Sequence, residues 1–208
     1  MAELKTARTT VRRKADRGRY DRETVDAILD AALIAHVGFA IDGVPSVIPM
    51  AYVRIDDAIY FHGAVANHAL RTLANGSEAC VTVTLLDALV LSRSAFHHSM
   101  NYRSVVCFGR GEKVEDDAAK LAAVEALVEH IVPGRREGTR GPSPSELRQT
   151  LVVRFPLTEA SAKVRTGPPI EDPEDLDLPY WGGEIPLTIV RGDPIPDEYV
   201  RHGNGTHP

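Results

Sequence analysis

The sequence predicts a mainly β protein, a small antiparallel β-barrel with flanking helices. Several strand-like runs follow one another through tight turns, and only two long helical patterns stand among them. Strands do not alternate with crossover helices, which a doubly wound sheet would require. No Gly-x-Gly-x-x-Gly opens a helix, so a dinucleotide-binding α/β fold is not indicated.

Taken in order, Asp21 to Ala32 places Val25, Ile28, Leu29 and Ala32 at helical spacing behind Asp21, a side chain suited to capping a helix start. Ala35–Ile41, Pro45–Ile55 and Ala58–His62 are then separated by Asp42-Gly43 and Asp56-Asp57, and read as a meander joined by tight turns. A short helix from Ala66 to Asn75 follows, stopped by Asn75-Gly76. Ala79–Leu86, Val90–Ser92 and Tyr102–Lys113 are further strands. Asp116–Val132 is the clearest helix, with Leu121, Val124, Leu127, Val128 and Ile131 in one stripe, and Pro133-Gly134 ends it. Residues 135–145 show no periodicity and read as a loop, after which Leu151–Phe155 and Ala160–Arg165 are closing strands.

From Thr166 onward the chain carries eight of its fourteen prolines, which forbids long helices and central strands there. Trp181 and its apolar neighbours argue that this segment wraps the barrel, while the end past Arg201 is expected to be disordered. Thr6 to Arg19 is basic enough to act as a mobile arm. The division expected is therefore an arm at 1–19, a barrel domain at 20–165 and a proline-rich wrap at 166–208.

At 208 residues, 43% hydrophobic and 25% charged, the chain can bury a full core, and no run approaches the roughly 18 apolar residues of a membrane helix. The N-terminal residues lack a secretory pattern, and a cytoplasmic location is expected. A net charge of −5 argues against nonspecific nucleic-acid binding as the main task and leaves room for a local basic pocket. Cys80 and Cys107 lie in apolar runs and read as buried thiols. His97-His98 has no carboxylate or Cys cluster beside it, so no metal site is expected, and no Gly-x-Ser-x-Gly elbow supports a serine hydrolase.

Three segments carry a further signal. His98 to Val114 runs from a polar, Arg- and Ser-bearing loop into an apolar strand; Val47 to Arg54 is a strand containing Pro49; Ala58 to His68 is a strand ending in His62-Gly63 before a short helix. Together they resemble the FMN-binding split-barrel proteins of the pyridoxamine 5'-phosphate oxidase-like superfamily. The resemblance is to its nitroimidazole-resistance-related, flavin-nucleotide-binding branch, from about Tyr20 to Pro186. It implies a six-stranded antiparallel split barrel that binds FMN and a small-molecule substrate, as an oxidoreductase of nitroreductase-like type. It also implies a homodimer with the site at the subunit interface. A non-catalytic flavin- or haem-binding protein and a deazaflavin-dependent reductase stand as alternatives on the same barrel.

The residues the resemblance assigns to the cofactor fall into three groups. In the turn after the second segment, His62, Gly63, Ala64, Asn67 and His68 would meet the phosphate at the helix N-terminus, with Arg71 one turn further on. His68 stands where the family often has Lys or Arg, and His62 also reads as an ordinary strand-end histidine. Pro49, Met50, Ala51 and Tyr52 would lie along the flavin's pyrimidine edge, or serve as barrel core. Tyr102, Arg103 and Ser104 match a family motif, with Arg103 expected to stabilise the reduced ring, or alternatively to form a surface ion pair. Trp181, like Tyr52 and Tyr102, is a stacking candidate, with packing as its plainer role.

Overall fold

The structure, a computed structural model, describes residues 4–200. Eleven strands and four α-helices appear in these residues: β1 (Gly18–Arg19), α1 (Arg22–Ala31), β2 (Ile34–Ile41), β3 (Val44–Ala51), β4 (Val53–Ile55), β5 (Ala58–Ala64), α2 (His68–Ala74), β6 (Glu78–Leu91), β7 (Ser99–Arg110), β8 (Glu112–Lys113), α3 (Asp117–Ile131), α4 (Pro144–Arg148), β9 (Thr150–Pro156), β10 (Glu159–Arg165) and β11 (Gly183–Pro186). They make a split barrel of two antiparallel sheets. The larger runs β1-β10-β7-β6-β2-β3, with β11 added on β6, and the smaller runs β4-β5-β9-β8.

The chain crosses between the sheets at two corners. The single expected strand Pro45–Ile55 breaks at Tyr52, so β3 ends in one sheet and β4 begins in the other. Likewise the expected Tyr102–Lys113 strand breaks at Gly111. A Cβ there would lie 2.8 Å from a Val153 methyl and 2.9 Å from the Leu73 carbonyl oxygen, so only glycine lets the strand bend past its neighbours.

Local chemistry sets most element ends. The Asp21, Asn67 and Asp116 side chains each accept a backbone N–H from the first turn of α1, α2 and α3. Asp42 and Gly43 both have positive φ, as a two-residue hairpin turn between twisted strands demands. Two expected strands, Ala79–Leu86 and Val90–Ser92, are one long strand β6, interrupted by a bulge at Asp87 that shifts its register against β7. In the stretch 135–145, read as a loop, Ser143 and Glu146 form a reciprocal capping box that starts the short helix α4.

The core lies between the two sheets and is closed by α1 and α2. Tyr52, Phe61, Phe155, Ile28, Leu29, Ile59, Leu70 and Leu73 are fully buried, each such side chain contributing roughly 1.5–3 kcal/mol of transfer free energy. On α3 the most buried residues are Ala123 and Leu127, and the expected stripe around Leu127 is otherwise only half-buried. Cys107 is buried and burial pushes its thiol upward, as an inert core cysteine.

The N-terminal arm, expected to be mobile, packs on the barrel instead. Leu4 and Thr9 are buried, the Leu4 carbonyl accepts from Ala160 N, and Arg8 lies over Phe108 while pairing with Glu78 and Glu159. The proline-rich segment is fastened to the barrel through β11 and two polar clusters described below. The free end expected past Arg201 lies outside the described residues. Among the described residues no helix is long and apolar enough to cross a membrane.

Candidate functional site

Strand alternation sorts the expected site residues onto different faces, because residues directly opposite one another in an antiparallel pair share a face. On β3, Met50 pairs with the buried Ala35 and points inward, whereas Pro49 pairs with His36 and Ala51 with Ile34 on the outer face. On β7, Tyr102 and Ser104 pair with Leu86 and Thr84 on the same outer face, and with Arg165 and Lys163 of β10. Cross-strand rows result: Pro49–His36–Thr82–Val106–Ser161 in the first, Thr84–Ser104–Lys163 in the next, and Leu86–Tyr102–Arg165 beyond it. This outer face of the larger sheet gathers Pro49, Ala51, Tyr102 and Ser104, and Ile34, His36, Thr84 and Leu86 are exposed on it.

Tyr52 does not reach this face. Its ring is fully buried between Phe61 and His130, with centroids 6.4 and 5.9 Å away, and its hydroxyl donates to the Leu29 carbonyl at 2.5 Å. Burial, with the Asp30 charge, pushes the phenol above its usual value. It is a core residue that ties the end of α1 to the barrel, and flavin stacking is not open to its side chain. Met50 is core as well.

Arg103 shares the inward parity of Val105, and emerges at the barrel end. There it makes a bidentate pair with the bulge residue Asp87, at 3.0 and 2.7 Å. The same bulge holds the tail, since Leu187 N donates to the Asp87 carbonyl. Arg103 is thus a salt-bridged residue on the face opposite to Tyr102 and Ser104.

The turn of His62, Gly63, Ala64, Asn67 and His68 sits at the end of the smaller sheet. His62 pairs with the buried Val152 across β9, and its Nδ1 is buried without a partner. Burial holds its ring below the ordinary histidine value, which favours the neutral form and not the cationic grip that an anion would want. Asn67 already spends its side-chain oxygen on Leu70 N. His68 is exposed at the head of α2.

Two clusters that the sequence did not single out fasten the tail. Glu171 accepts from Ser92 Oγ at 2.7 Å, from Arg93 N at 3.1 Å and from Arg93 Nη1 at 3.0 Å. These bonds, led by Ser92, hold its carboxyl below the usual carboxylate range. Arg165 donates to the Asn101 side chain and to the Gly167 and Pro168 carbonyls, while Asn101 donates in turn to Gly167 O and Glu184. Trp181 remains 62% exposed, lying against Gly183 at the edge of this strap, so in the single chain it is a surface residue.

A family model described as pyridoxamine 5'-phosphate oxidase matches residues 21–164, more than half of the chain. The chain belongs to the pyridoxamine 5'-phosphate oxidase family. Among solved structures of this fold, the flavocytochrome Anf3 from Azotobacter vinelandii is 41% identical, covering 95% of this chain and 92% of that one, with a TM-score of 0.89. The FAD and haem binding protein from Mycobacterium smegmatis is 34% identical over 92% and 94%, with a TM-score of 0.87. A candidate 5-nitroimidazole antibiotic resistance protein from Bacteroides thetaiotaomicron, 24% identical over 71% and 86% with a TM-score of 0.60, shares the fold. No curated protein matches. The family match ends at residue 164, whereas the first two structures match over nearly the whole chain.

Proposed function

We propose that this chain is a redox protein that binds both a flavin, as FAD, and a haem. The observation that carries the reading is the pair of near-full-length matches at 41% and 34% identity, one to a flavocytochrome and one to a protein that binds FAD and haem. FMN, which the sequence suggested, yields here to the dinucleotide named for the second of them.

The residues present fit such ligands. The outer face of the larger sheet offers a flat surface on which a planar ring can lie against strand backbone, with Ser104, Thr84 and Tyr102 as polar groups and Pro49, Ala51 and Ile34 as apolar ones. An axial donor to haem needs a histidine nitrogen not already engaged. Among the described residues, His97 and His130 engage Nε2, with Asp172 and the Ala32 carbonyl, whereas His98 engages only Nδ1, on the Ser94 carbonyl, and keeps Nε2 open, an arrangement common in metal-bound histidine. His36, set among Ile34, Pro49 and Ala51 on the outer face, and His68 are exposed and have no such bond recorded. Bound flavin would supply one- and two-electron transfer and bound haem one-electron transfer, with the chain orienting both.

The edge strand β3 leaves Val44, Val47 and Ile48 exposed, and an apolar unpaired edge is a surface that proteins cover. The same proposal therefore includes a homodimer that buries this edge beside the outer face. Light scattering on the loaded protein tests it, and a monomer at micromolar concentration overturns it.

The test of the ligands is the absorption spectrum of the purified protein, with chromatography of the acid-released flavin and a pyridine haemochrome assay. FAD together with a Soret band is expected. FMN alone, without a Soret band and with no spectral change on haem addition, refutes the reading in favour of an FMN-dependent oxidoreductase.

A further inference from the structure

The strongest unexplained feature outside the expected phosphate turn is a group of cations where β1 meets β10. Five of the eight residues from Arg12 to Arg19 are basic against one acid, Asp16, in a chain whose net charge is −5. Most other arginines of the described residues are tied to carboxylates: Arg8, Arg22, Arg54, Arg93, Arg103, Arg110, Arg136, Arg140 and Arg154 all form ion pairs, but none is recorded for Arg12, Arg13, Lys14, Arg17 or Arg19.

This segment is held in place. Val11 N donates to the Tyr20 hydroxyl at 2.8 Å, Arg17 N to the Lys14 carbonyl, and β1 pairs with β10 so that Gly18 faces Lys163. Arg17 ends the 3-10 turn Ala15–Arg17 just before β1, at the Val164–Arg165 end of β10, and so is not bound by the alternation of the strand. Burial first and the Arg17 charge second disfavour the charged form of Arg165, while Glu184, reached through Asn101, acts the other way.

Arg165 is the unusual member. It is only 6% exposed, its terminal nitrogens donate to neutral oxygens alone, and its Nε is buried with no partner. The one carboxylate acting on it, Glu184, is reached only through Asn101, and a buried guanidinium without a direct anionic partner, near a second guanidinium, is costly unless a further anion completes the site. Lys163, two residues earlier on the same outer face, is half-buried and has no recorded ion pair. It faces Ser104, on the surface assigned above to the flavin ring.

We propose that Lys163, Arg165 and Arg17 form a phosphate-binding site at the β1–β10 edge of the outer face. The ligand class is a phosphate ester or diphosphate, with Lys163 and Arg17 meeting its oxygens and Arg165 supplying charge from beneath. This rests on the flavin reading above and moves the anionic end of the ligand from the β5–α2 turn to β10. Two sources share the chemistry: the diphosphate of the bound FAD, and the phosphates of a nicotinamide dinucleotide that reduces it.

The experiment is a set of dissociation constants, by flavin fluorescence and calorimetry, for riboflavin, FMN and FAD on wild type, Lys163→Gln and Arg17→Gln, each checked for folding by circular dichroism and thermal melting. If the FAD diphosphate occupies the site, FMN or FAD affinity falls roughly ten- to hundredfold in each variant, the loss of one charge-assisted bond, and riboflavin affinity stays put. If a nicotinamide dinucleotide occupies it, FAD affinity is unchanged and the dissociation constant of NADPH for the FAD-loaded protein rises by a similar factor. Variants that match wild type for all of these ligands, or that lose riboflavin as strongly as FAD, overturn the site. Inorganic pyrophosphate titrated into flavin-free protein separates the two levels of argument. Saturable binding lost in Lys163→Gln upholds the anion site even where wild type takes up no flavin, and no saturable binding there overturns it.

Discussion

Tyr52→Phe removes one oxygen from the centre of the fold and leaves the ring. The hydroxyl donates to the carbonyl of Leu29, one of the last carbonyls of α1, which have no partner within the helix. Phenylalanine keeps the packing on Phe61 and His130, so the loss is confined to a buried acceptor left unpaired, about 1–3 kcal/mol. At about 2–4 °C per kcal/mol for a chain of this size, the melting temperature falls by roughly 2–12 °C. The phenol is held above its ordinary value of 10, so the folded state keeps it protonated while the unfolded chain ionises there. Wild type therefore loses stability above pH 10 through this group and the variant does not, and the gap between them narrows as pH rises past 10. Thermal melts at pH 7 and pH 10.5, with the flavin dissociation constant measured alongside, make the assay. An unchanged melting temperature with weakened flavin binding would show that Tyr52 faces the cofactor, and would sink the assignment to the core.

Gly111→Ala should cost about 1–3 kcal/mol in denaturant unfolding, because the added methyl meets a backbone oxygen that cannot rotate away. Glu171→Gln should speed proteolysis within residues 166–187 at pH 7. Since the Glu171 carboxyl is held below its ordinary 4.5, its contribution is present above that value, and wild type should loosen in the same place as pH falls below it. His62 has a lowered value, so the folded chain resists its protonation and stability should fall as pH drops below 6.5; His62→Leu should flatten that acid limb. An NMR titration that showed the His62 ring gaining its proton above pH 6.5 would contradict the burial argument.

Much of the fold was legible because local chemistry and the final structure agree. Asp42-Gly43 can hardly be anything but a hairpin turn, and Asp21, Asn67 and Asp116 cap the helices their spacing suggested. What was hidden depends on contacts far apart in the chain. Nothing local marks Tyr52 or Gly111 as corners between sheets; each is defined by neighbours such as Leu29, Leu73 and Val153. The gap between the expected strands Ala79–Leu86 and Val90–Ser92 is a bulge at Asp87 within one strand, and its ion-pair partner Arg103 lies 16 positions further on. The site followed the same rule. The motif at 101–105 names a run of neighbours, but alternation sends Arg103 to one side and Tyr102 with Ser104 to the other. The partners of Tyr102 and Ser104 are Arg165 and Lys163, about sixty positions away. The capping box at Ser143–Glu146 is local sequence, but so short a helix leaves no periodic pattern to mark it.

The placement of β11 bears on the order of folding. β6 and β7 form a hairpin from adjacent sequence, whereas the segment of β6 past the bulge waits for Gly183–Pro186, near the C-terminal end of the chain. Non-local pairs of this kind form late, because chain entropy must be spent before they return anything. During synthesis the hairpin end is therefore uncovered until the strap emerges. Trp181, the chain's single tryptophan, sits two residues before β11 and is placed to report that last step, after the barrel itself has closed.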